Sequence, residues 1–189
     1  MNNLILVKHS LPEIVSTRPA KEWLLSELGR FRCKALSQML KVYSPDLIVS
    51  SVEPKAVETA QIIASQINQP LRVCEGLHEH DRTGVNFLSK EQFEANVNDF
   101  FIHPGEWAMG RETAHQACER FSNALASVEK AHPDKNIVVV SHGTVITLFV
   151  EKYNRMDPFS FWKKLDLPSF VVLSLPQHQL VTTVETIKD

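Results

Sequence analysis

Three short apolar runs that each end in polar or basic residues constrain this sequence most strongly. They are Leu4–Val7 followed by Lys8-His9-Ser10, Leu47–Val49 followed by Ser50-Ser51, and Ile137–Val140 followed by Ser141-His142-Gly143. Unbroken apolar runs are typical of parallel strands that are buried on both faces. Because ligands of open α/β sheets bind beyond the carboxyl ends of the strands, we expect the three polar ends to meet at one site.

The other predicted elements favour an α/β fold. Strands are predicted at 3–7, 46–50, 71–74 and 136–141, helices at 32–43, 52–67, 113–131, 143–153 and 158–165, and a closing hairpin at 170–175 and 180–187. Strands that alternate with helices predict a mostly parallel central sheet with helices on both faces. The predicted fold class is therefore a three-layer α/β/α sandwich.

Smaller patterns predict where helices begin and end. Ser50-x-x-Glu53 and Thr113-x-x-Gln116 both have the form of a capping box, in which two side chains bond the first free amides of a helix. A further short helical piece is predicted to begin at 23–25 and to stop at Leu28-Gly29.

Residues 76–110 interrupt the alternation of strands and helices. They contain several aromatic residues without a single clear period, namely Phe87, Phe93, Phe100, Phe101 and Trp107. We interpret them as a cap, partly helical near 89–101, inserted into a single domain that spans residues 1–189. Most of these aromatics are expected to form a small satellite core; the alternative is that they select an apolar leaving group.

Composition narrows the possible partners and compartment. The 189 residues carry a net charge of -2, which gives no overall attraction to nucleic acid or to an anionic membrane. The cysteines, Cys33, Cys74 and Cys118, are odd in number and far apart, so no disulfide framework is expected. No apolar stretch reaches the length of a membrane span or has the form of a signal peptide. We expect a cytoplasmic protein; its oligomeric state is not readable from the sequence.

The polar strand ends carry residues suited to a phosphoryl group. Lys8 and Lys55 are cations, and His9 and His142 are imidazoles that can attack or bind phosphorus and oxygen atoms. Two of the strands run directly into helices, whose free N-terminal amides favour phosphate. A single histidine at a strand end is more often structural than catalytic, but the joint pattern favours a phosphate site.

The sequence resembles the histidine phosphatase superfamily, which has the phosphoglycerate-mutase-like fold. Four blocks in the expected order carry the resemblance: Lys8-His9-Ser10 at the family's Arg-His-Gly, Ser50–Ala60 at its Ser-Ser-x-x-x-Arg-Ala-x-x-Thr-Ala, Leu77-His78-Glu79 at its acid-bearing element, and Ser141–Ile146 at its Ser-His-Gly block. A fifth stretch, 110–113, is similar to the turn before the family's long helix.

The resemblance implies a two-step phosphoryl transfer without metal or other cofactor. It implies that His9 is the nucleophile and carries a phosphohistidine, and that Glu79 exchanges protons with the leaving oxygen and the water. The predicted catalytic residues are His9, Glu79 and His142, and the predicted phosphate-binding residues are Lys8, Ser10, Lys55 and His142.

The chain departs from the family pattern at three of these positions. Lys8 and Lys55 stand where the family has arginine, and Ser10 stands where it has glycine. Arginine holds phosphate with a planar fork, whereas lysine is a mobile point charge. The sequence leaves open whether the lysines support full activity and whether Arg82 or Arg111 completes the pocket.

The sequence is compatible with three functions. The first is a phosphomonoester hydrolase acting on a small phosphorylated metabolite or a phosphoprotein. The second is an inactive or weakly active family member that binds phosphorylated ligands or a protein partner. The third is a zinc hydrolase built on His78-x-His80-Asp81, which has ligand-like spacing but lacks evident further ligands.

Overall fold

One six-stranded sheet organises the computed structural model, which describes residues 2–188. Its strands are β1 (Asn3–Lys8), β2 (Leu47–Ser50), β3 (Leu71–Val73), β4 (Ile137–Ser141), β5 (Ser169–Ser174) and β6 (Gln179–Val184). Their order across the sheet is β3-β2-β4-β1-β5-β6. The first four pair in parallel, and β5 and β6 add an antiparallel edge. The predicted mostly parallel sheet and the closing hairpin are both confirmed.

Six α-helices accompany the sheet in the described part of the chain. They are α1 (Glu27–Leu40), α2 (Pro54–Ile67), α3 (Lys90–Ile102), α4 (Ala114–Ala131), α5 (Gly143–Tyr153) and α6 (Pro158–Lys164), with short 3-10 turns at Ala20–Glu22 and Lys41–Tyr43. The capping box at the start of α4 is confirmed, since Thr113 and Gln116 each bond the other's backbone amide.

The prediction of a helical piece that stops at Leu28-Gly29 is wrong. Helix α1 begins at Glu27 and runs through Gly29, with Ser26 as its N-cap. A Cβ atom at Gly29 would lie 2.1 Å from the Leu11 carbonyl oxygen. The glycine therefore permits a close backbone approach rather than ending a helix.

The predicted capping box at Ser50-x-x-Glu53 is also wrong. Glu53 is itself the N-cap residue of α2, with no capping bond from its side chain, and Pro54 takes the first helical position. The Ser50 hydroxyl donates to the Ser51 carbonyl at 2.8 Å. Because Pro54 supplies no amide donor and already fixes its own φ, the helix begins without a side-chain cap.

The core has two parts, one on each face of the sheet. Along β1, Leu4 and Leu6 pack on one face and Ile5 and Val7 on the other, and all four side chains are fully buried. Side chains of α1 and α2 cover the second face, and those of α3, α4 and α5 cover the first. The result is the three-layer arrangement predicted from the sequence.

The register of the sheet brings the three polar strand ends together. Lys8 pairs with Ser141 across β1 and β4, and Ser50 pairs with Val140 across β2 and β4. The backbone amide of His9 donates to the Ser141 carbonyl at 3.0 Å. Since β4 lies between β1 and β2, residues just beyond all three strands share one edge.

The residues predicted to form a cap contain α3, which confirms the helix expected near 89–101. Phe100 and Phe101 are buried in the main core rather than in a separate satellite core. Phe87 and Trp107 are 62% and 64% exposed, so they belong to neither core. No helix within residues 2–188 is long and apolar enough to cross a membrane.

Candidate active site

His9 lies directly after β1, and its own backbone fixes its ring. Its Nδ1 lies 2.7 Å from the Ser10 carbonyl oxygen. A carbonyl only accepts, so Nδ1 carries the proton and Nε2 keeps a free lone pair. Burial, reinforced by His142 and Lys55, lowers the pKa of His9 well below its usual value of 6.5. His9 is therefore neutral at pH 7, the state that a nucleophile requires.

His142 is the N-cap residue of α5 and faces His9. The centroids of the two rings lie 5.2 Å apart, edge to face. Its Nε2 lies 2.9 Å from the Ser51 hydroxyl and 3.5 Å from Glu53 Oε1. Burial, followed by the charge of Lys55, lowers the pKa of His142 well below 6.5. The two histidines expected at one site thus lie side by side.

Lys55 lies in the first turn of α2, and only 5% of it is exposed. Its ammonium group donates to Glu53 Oε2 at 2.5 Å and to the Ala20 carbonyl at 2.6 Å. Burial lowers the pKa of Lys55, and its pair with Glu53 partly opposes that shift. Two of the three ammonium donors are used, which gives this lysine a defined orientation and leaves one donor for a ligand.

Lys8 has a different environment from Lys55. Its ammonium group donates to the Leu165 carbonyl at 2.5 Å and lies 6.0 Å from the centroid of the Trp162 ring. Burial lowers the pKa of Lys8 from 10.5 to about 8. The side chain lines a depression of about 430 Å³ together with Lys90 and Lys163. Lys55 instead borders a larger cleft.

Glu79 is anchored by the first turn of α5. Its carboxylate accepts from the backbone amides of His80, Thr144 and Val145 at 3.0, 3.2 and 3.3 Å. Burial raises the pKa of Glu79, but Arg82, His142 and His80 together outweigh burial and hold it below its usual range. In the ligand-free protein the group is therefore a carboxylate, ready to accept a proton.

Arg120 on α4 holds the backbone that carries Glu79. Its guanidinium donates to the carbonyls of Gly76, His78 and Glu79 at 2.7, 2.9 and 3.2 Å. It also forms a two-point pair with the Glu112 carboxylate at 2.7 and 2.8 Å. This role of Arg120 was not predicted from the sequence, because its contacts with the three carbonyls join residues more than forty positions apart.

Glu53 is the second residue that sequence reasoning missed. Besides the pair with Lys55, its Oε1 accepts from the Glu79 backbone amide at 2.9 Å and lies beside His142. Glu53 lies two positions before Lys55, and this spacing could have indicated an ion pair between them. The sequence pattern instead predicted that Glu53 belongs to a capping box. The site therefore contains two carboxylates rather than one.

The remaining candidate residues of the phosphate site differ in their placement. The Ser10 hydroxyl donates to the Gly29 carbonyl at 2.7 Å, so its single donor joins the β1 end to α1 and is not free for phosphate. Arg82 lies 3.3 Å from Glu79 Oε2, and its guanidinium covers the Phe93 ring at 5.0 Å. Arg111 is exposed and contacts this region through its backbone amide.

The histidines considered for a zinc site do not form one. His80 is buried and stacks on the Phe100 ring at a centroid distance of 4.4 Å. Among residues 2–188, no group of three or more histidine, cysteine, aspartate or glutamate side chains is arranged to hold a metal ion. The zinc interpretation of His78-x-His80-Asp81 is therefore not supported by the described residues.

A cleft of about 1110 Å³ opens beside Glu53, Lys55 and Glu79. One wall is the loop at 14–23, and the other is formed mainly by residues 78–88 with Phe93. Its apolar lining includes Ile14, Trp23, Val85, Phe87, Phe93 and Met109. Trp23 stiffens the first wall, because its indole N–H lies 3.0 Å from the Val15 carbonyl and 3.1 Å from the Arg18 carbonyl.

A parallel sheet with two facing histidines beyond β1 and β4 defines a phosphoglycerate-mutase-like α/β protein. The sequence profile of the histidine phosphatase superfamily (branch 1) matches residues 4–186. The chain belongs to that family, and the predicted family is confirmed.

A curated relative with a similar sequence is the uncharacterized phosphatase PhoE of Bacillus subtilis (strain 168). The two are 26% identical over 134 residues, which cover 71% of this chain and 66% of PhoE. The chain thus matches slightly less than two thirds of that relative's length. The relative's activity is carried over to this chain only as a proposal.

Solved structures share the fold over nearly the whole chain. A phosphoserine phosphatase variant from Entamoeba histolytica, in complex with phosphoserine, has a TM-score of 0.78 at 20% identity and covers 97% of each chain. A mycobacterial glucosyl-3-phosphoglycerate phosphatase has a TM-score of 0.73 at 21% identity, covering 90% of this chain and 89% of its own. At these identities the likeness establishes the common fold.

Proposed function

We propose that this protein is a phosphomonoester hydrolase that uses His9 as its nucleophile. The observation that carries the proposal is the state of the His9 ring. Its Nδ1 is fixed by the Ser10 carbonyl, its pKa is low enough to keep it neutral, and its Nε2 has no hydrogen-bond partner within residues 2–188. Most buried polar atoms have hydrogen-bond partners, so a free ring nitrogen on a histidine that faces His142 supports a functional role.

In the first step His9 Nε2 attacks the phosphorus atom, and the bond from phosphorus to the ester oxygen breaks. Glu79 supplies the proton that the leaving oxygen needs. Glu79 is ionised in the ligand-free protein, but an incoming phosphate dianion raises the proton affinity of the carboxylate, so that Glu79 takes up this proton from solvent as the substrate binds. In the second step water attacks phosphorus, the bond from phosphorus to nitrogen breaks, and Glu79 takes the proton from water.

Charge on the phosphoryl oxygens is stabilised by groups at the strand ends. Lys55 lines the cleft, His142 faces His9, and Lys8 adds a positive charge that acts on His9. The first amides of α5 donate to the Glu79 carboxylate and keep it in place. Preorganised donors of this kind are the main source of rate enhancement in phosphoryl transfer.

The substrate is a small phosphorylated metabolite or a phosphoprotein. The related fold of the phosphoserine and glucosyl-3-phosphoglycerate phosphatases supports a small ligand, and the apolar cleft walls support a leaving group with an apolar part. The three free cysteines favour a reducing compartment, and we propose the cytoplasm. The net charge of -2 favours neither nucleic acid nor an anionic membrane as a partner.

Turnover of a panel of aryl and alkyl phosphates tests this function. Wild-type protein is expected to hydrolyse members of the panel, and His9→Ala is expected to lose at least about a thousandfold in kcat. His115→Ala, at an exposed histidine on α4, is the matched control. A wild-type protein with no turnover on the whole panel, or a His9→Ala variant with full activity, would contradict the proposal.

A second function is favoured by the state of the lysines. Lys55 is paired with Glu53, and Lys8 is bonded to a carbonyl, so both cations are partly satisfied without a ligand. This arrangement suits a protein that binds phosphorylated ligands without fast turnover. Thermal stabilisation by phosphate in the absence of any turnover would favour this function over hydrolysis.

A further inference from the structure

The Glu53 carboxylate lies between two groups that a phosphoryl oxygen would contact. Its Oε2 lies 2.5 Å from Lys55 Nζ, and its Oε1 lies 3.5 Å from His142 Nε2. A third contact comes from the Glu79 backbone amide at 2.9 Å. Only 7% of Glu53 is exposed, so these contacts replace water almost completely.

A phosphoryl group competes with the Glu53 carboxylate for Lys55 and His142. Both are anions with oxygen acceptors, so they repel each other when they lie side by side in a buried site. Lys55 has one donor left after Glu53 and Ala20 are satisfied. His142 Nε2 is shared between Ser51 and Glu53.

We propose that Glu53 is an internal anion that occupies the phosphoryl-binding position, and that an incoming phosphoryl group displaces it from Lys55 and His142. The inference rests on the proposed phosphate site and adds a residue that sets its affinity for phosphoryl groups. The neighbouring cleft, which Glu53 already lines, has room for the displaced side chain. Because Pro54 restricts the backbone, the movement takes place about the side-chain bonds of Glu53.

Displacement of Glu53 lowers the affinity for every phosphoryl group, so that tight binding requires further contacts from the rest of the ligand. Every phosphoryl group must overcome the same competition from the carboxylate. An ester also gains contacts with the apolar cleft walls, whereas inorganic phosphate gains none. Glu53 therefore lowers the affinity for both ligands, and only the ester offsets that loss with wall contacts, so the free phosphate product binds weakly and inhibits little.

Binding of inorganic phosphate and orthovanadate, measured by calorimetry on the full chain, tests the role of Glu53. Glu53→Gln removes the charge and keeps the shape, and it is expected to bind both anions at least about tenfold more tightly than wild type. Glu119→Gln, at an exposed position on α4, removes one charge far from these contacts and controls for net charge. The control is expected to bind phosphate as wild type does.

The outcomes separate this inference from the proposed function. Phosphate binding that is unchanged or weaker in folded Glu53→Gln would overturn the inference, and weaker binding would mean that Glu53 positions Lys55 instead. Absence of phosphate binding by both wild type and Glu53→Gln would overturn the proposed function as well.

A structure of the wild-type protein with vanadate provides a test that needs no variant. The inference predicts that the Glu53 carboxylate has moved beyond hydrogen-bond distance of Lys55 Nζ, with vanadate oxygens in its former place. An intact pair between Glu53 and Lys55 beside bound vanadate would contradict it.

Discussion

The floor and the walls of the site differ sharply in how they are built. The floor consists of His9, Ser51, Glu79 and His142, each at most 8% exposed and held by strand ends or by the first turn of α5. The walls consist of the loop at 14–23 and of residues 81–88 with Phe93, and the two loops contain little regular structure. Ile14 and Phe87 on the walls are each 62% exposed.

This difference indicates that the floor carries out the reaction and that the walls select the substrate. The geometry of the floor follows from the pairing of β1, β2 and β4. The backbone hydrogen bonds that fix the floor residues also hold the sheet of the core together. The walls contact the site through Arg82, which pairs with Glu79, and through the Ala20 carbonyl, which accepts from Lys55. Wall residues outside these contacts can vary without moving the floor. Changes in the floor should therefore act on kcat, and changes in the walls should act on KM.

Glu79→Gln should give the largest effect on the floor. An amide cannot donate or accept the proton that each step moves, so kcat is expected to fall by about 10²–10⁴-fold, with KM little changed. Steady-state kinetics on an aryl phosphate measures the effect, with Glu119→Gln as the control. A loss confined to KM would place Glu79 among the binding groups instead.

Phe121→Ala and Phe87→Ala compare the core beneath the floor with an exposed wall. Phe121 is fully buried, so its truncation is expected to lower the free energy of unfolding by about 3–5 kcal/mol. Phe87 is mostly exposed, and its truncation should change that free energy by less than about 0.5 kcal/mol while raising KM for an aryl phosphate a few-fold. Urea unfolding and kinetics measure both, and equal losses of stability would contradict the distinction.

The pH dependence of phosphate binding tests Lys8. Burial lowers its pKa to about 8, so the side chain loses its positive charge as the pH rises through 8. Phosphate affinity is expected to weaken above pH 8, by up to about tenfold per pH unit. Lys8→Arg keeps the charge and should weaken less over the same range. Identical pH profiles for wild type and Lys8→Arg would show that Lys8 does not contact phosphate.

The buried histidines should make the protein less stable in mild acid. The pKa values of His9 and His142 are lower in the folded chain than in the unfolded one, so the unfolded chain binds more protons below pH 6.5. Their stabilising contribution is complete above pH 6.5 and is lost as the pH falls, by at most about 1.4 kcal/mol per pH unit for each histidine. Urea unfolding from pH 7 to 5.5 should show a smaller slope for His9→Asn than for His115→Asn, and equal slopes would contradict this.

Much of the fold could be predicted from the sequence, because the signals were strong and local. The apolar run at 137–140 and the helix at 143–153 follow from hydrophobic patterning alone, and the structure matches them closely. Gly29 was misread because a stop signal and a close-contact glycine look identical without the neighbouring Leu11. The positions of His9 and His142 followed from the rule for strand ends.

The electrostatics of the site could not be predicted in the same way. Glu53 looked like a capping residue, and only the three-dimensional structure reveals its contacts with Lys55, His142 and Glu79. The separation of Lys8 from the main cleft depends on Leu165, which is 157 residues away in the chain. Contacts of this range leave no local pattern in a sequence.

The central claim is that His9 forms the covalent intermediate, and rapid quenching with a phosphodonor tests it most directly. Wild-type protein mixed with an aryl phosphate and quenched in base, where phosphohistidine persists, should carry one phosphoryl group, mapped to His9 by peptide mass spectrometry. Glu79→Gln should accumulate the same species, because an aryl leaving group departs with little acid assistance whereas attack by water on the phosphohistidine needs the base. Label on another residue, or efficient turnover with no label on His9, would contradict the account.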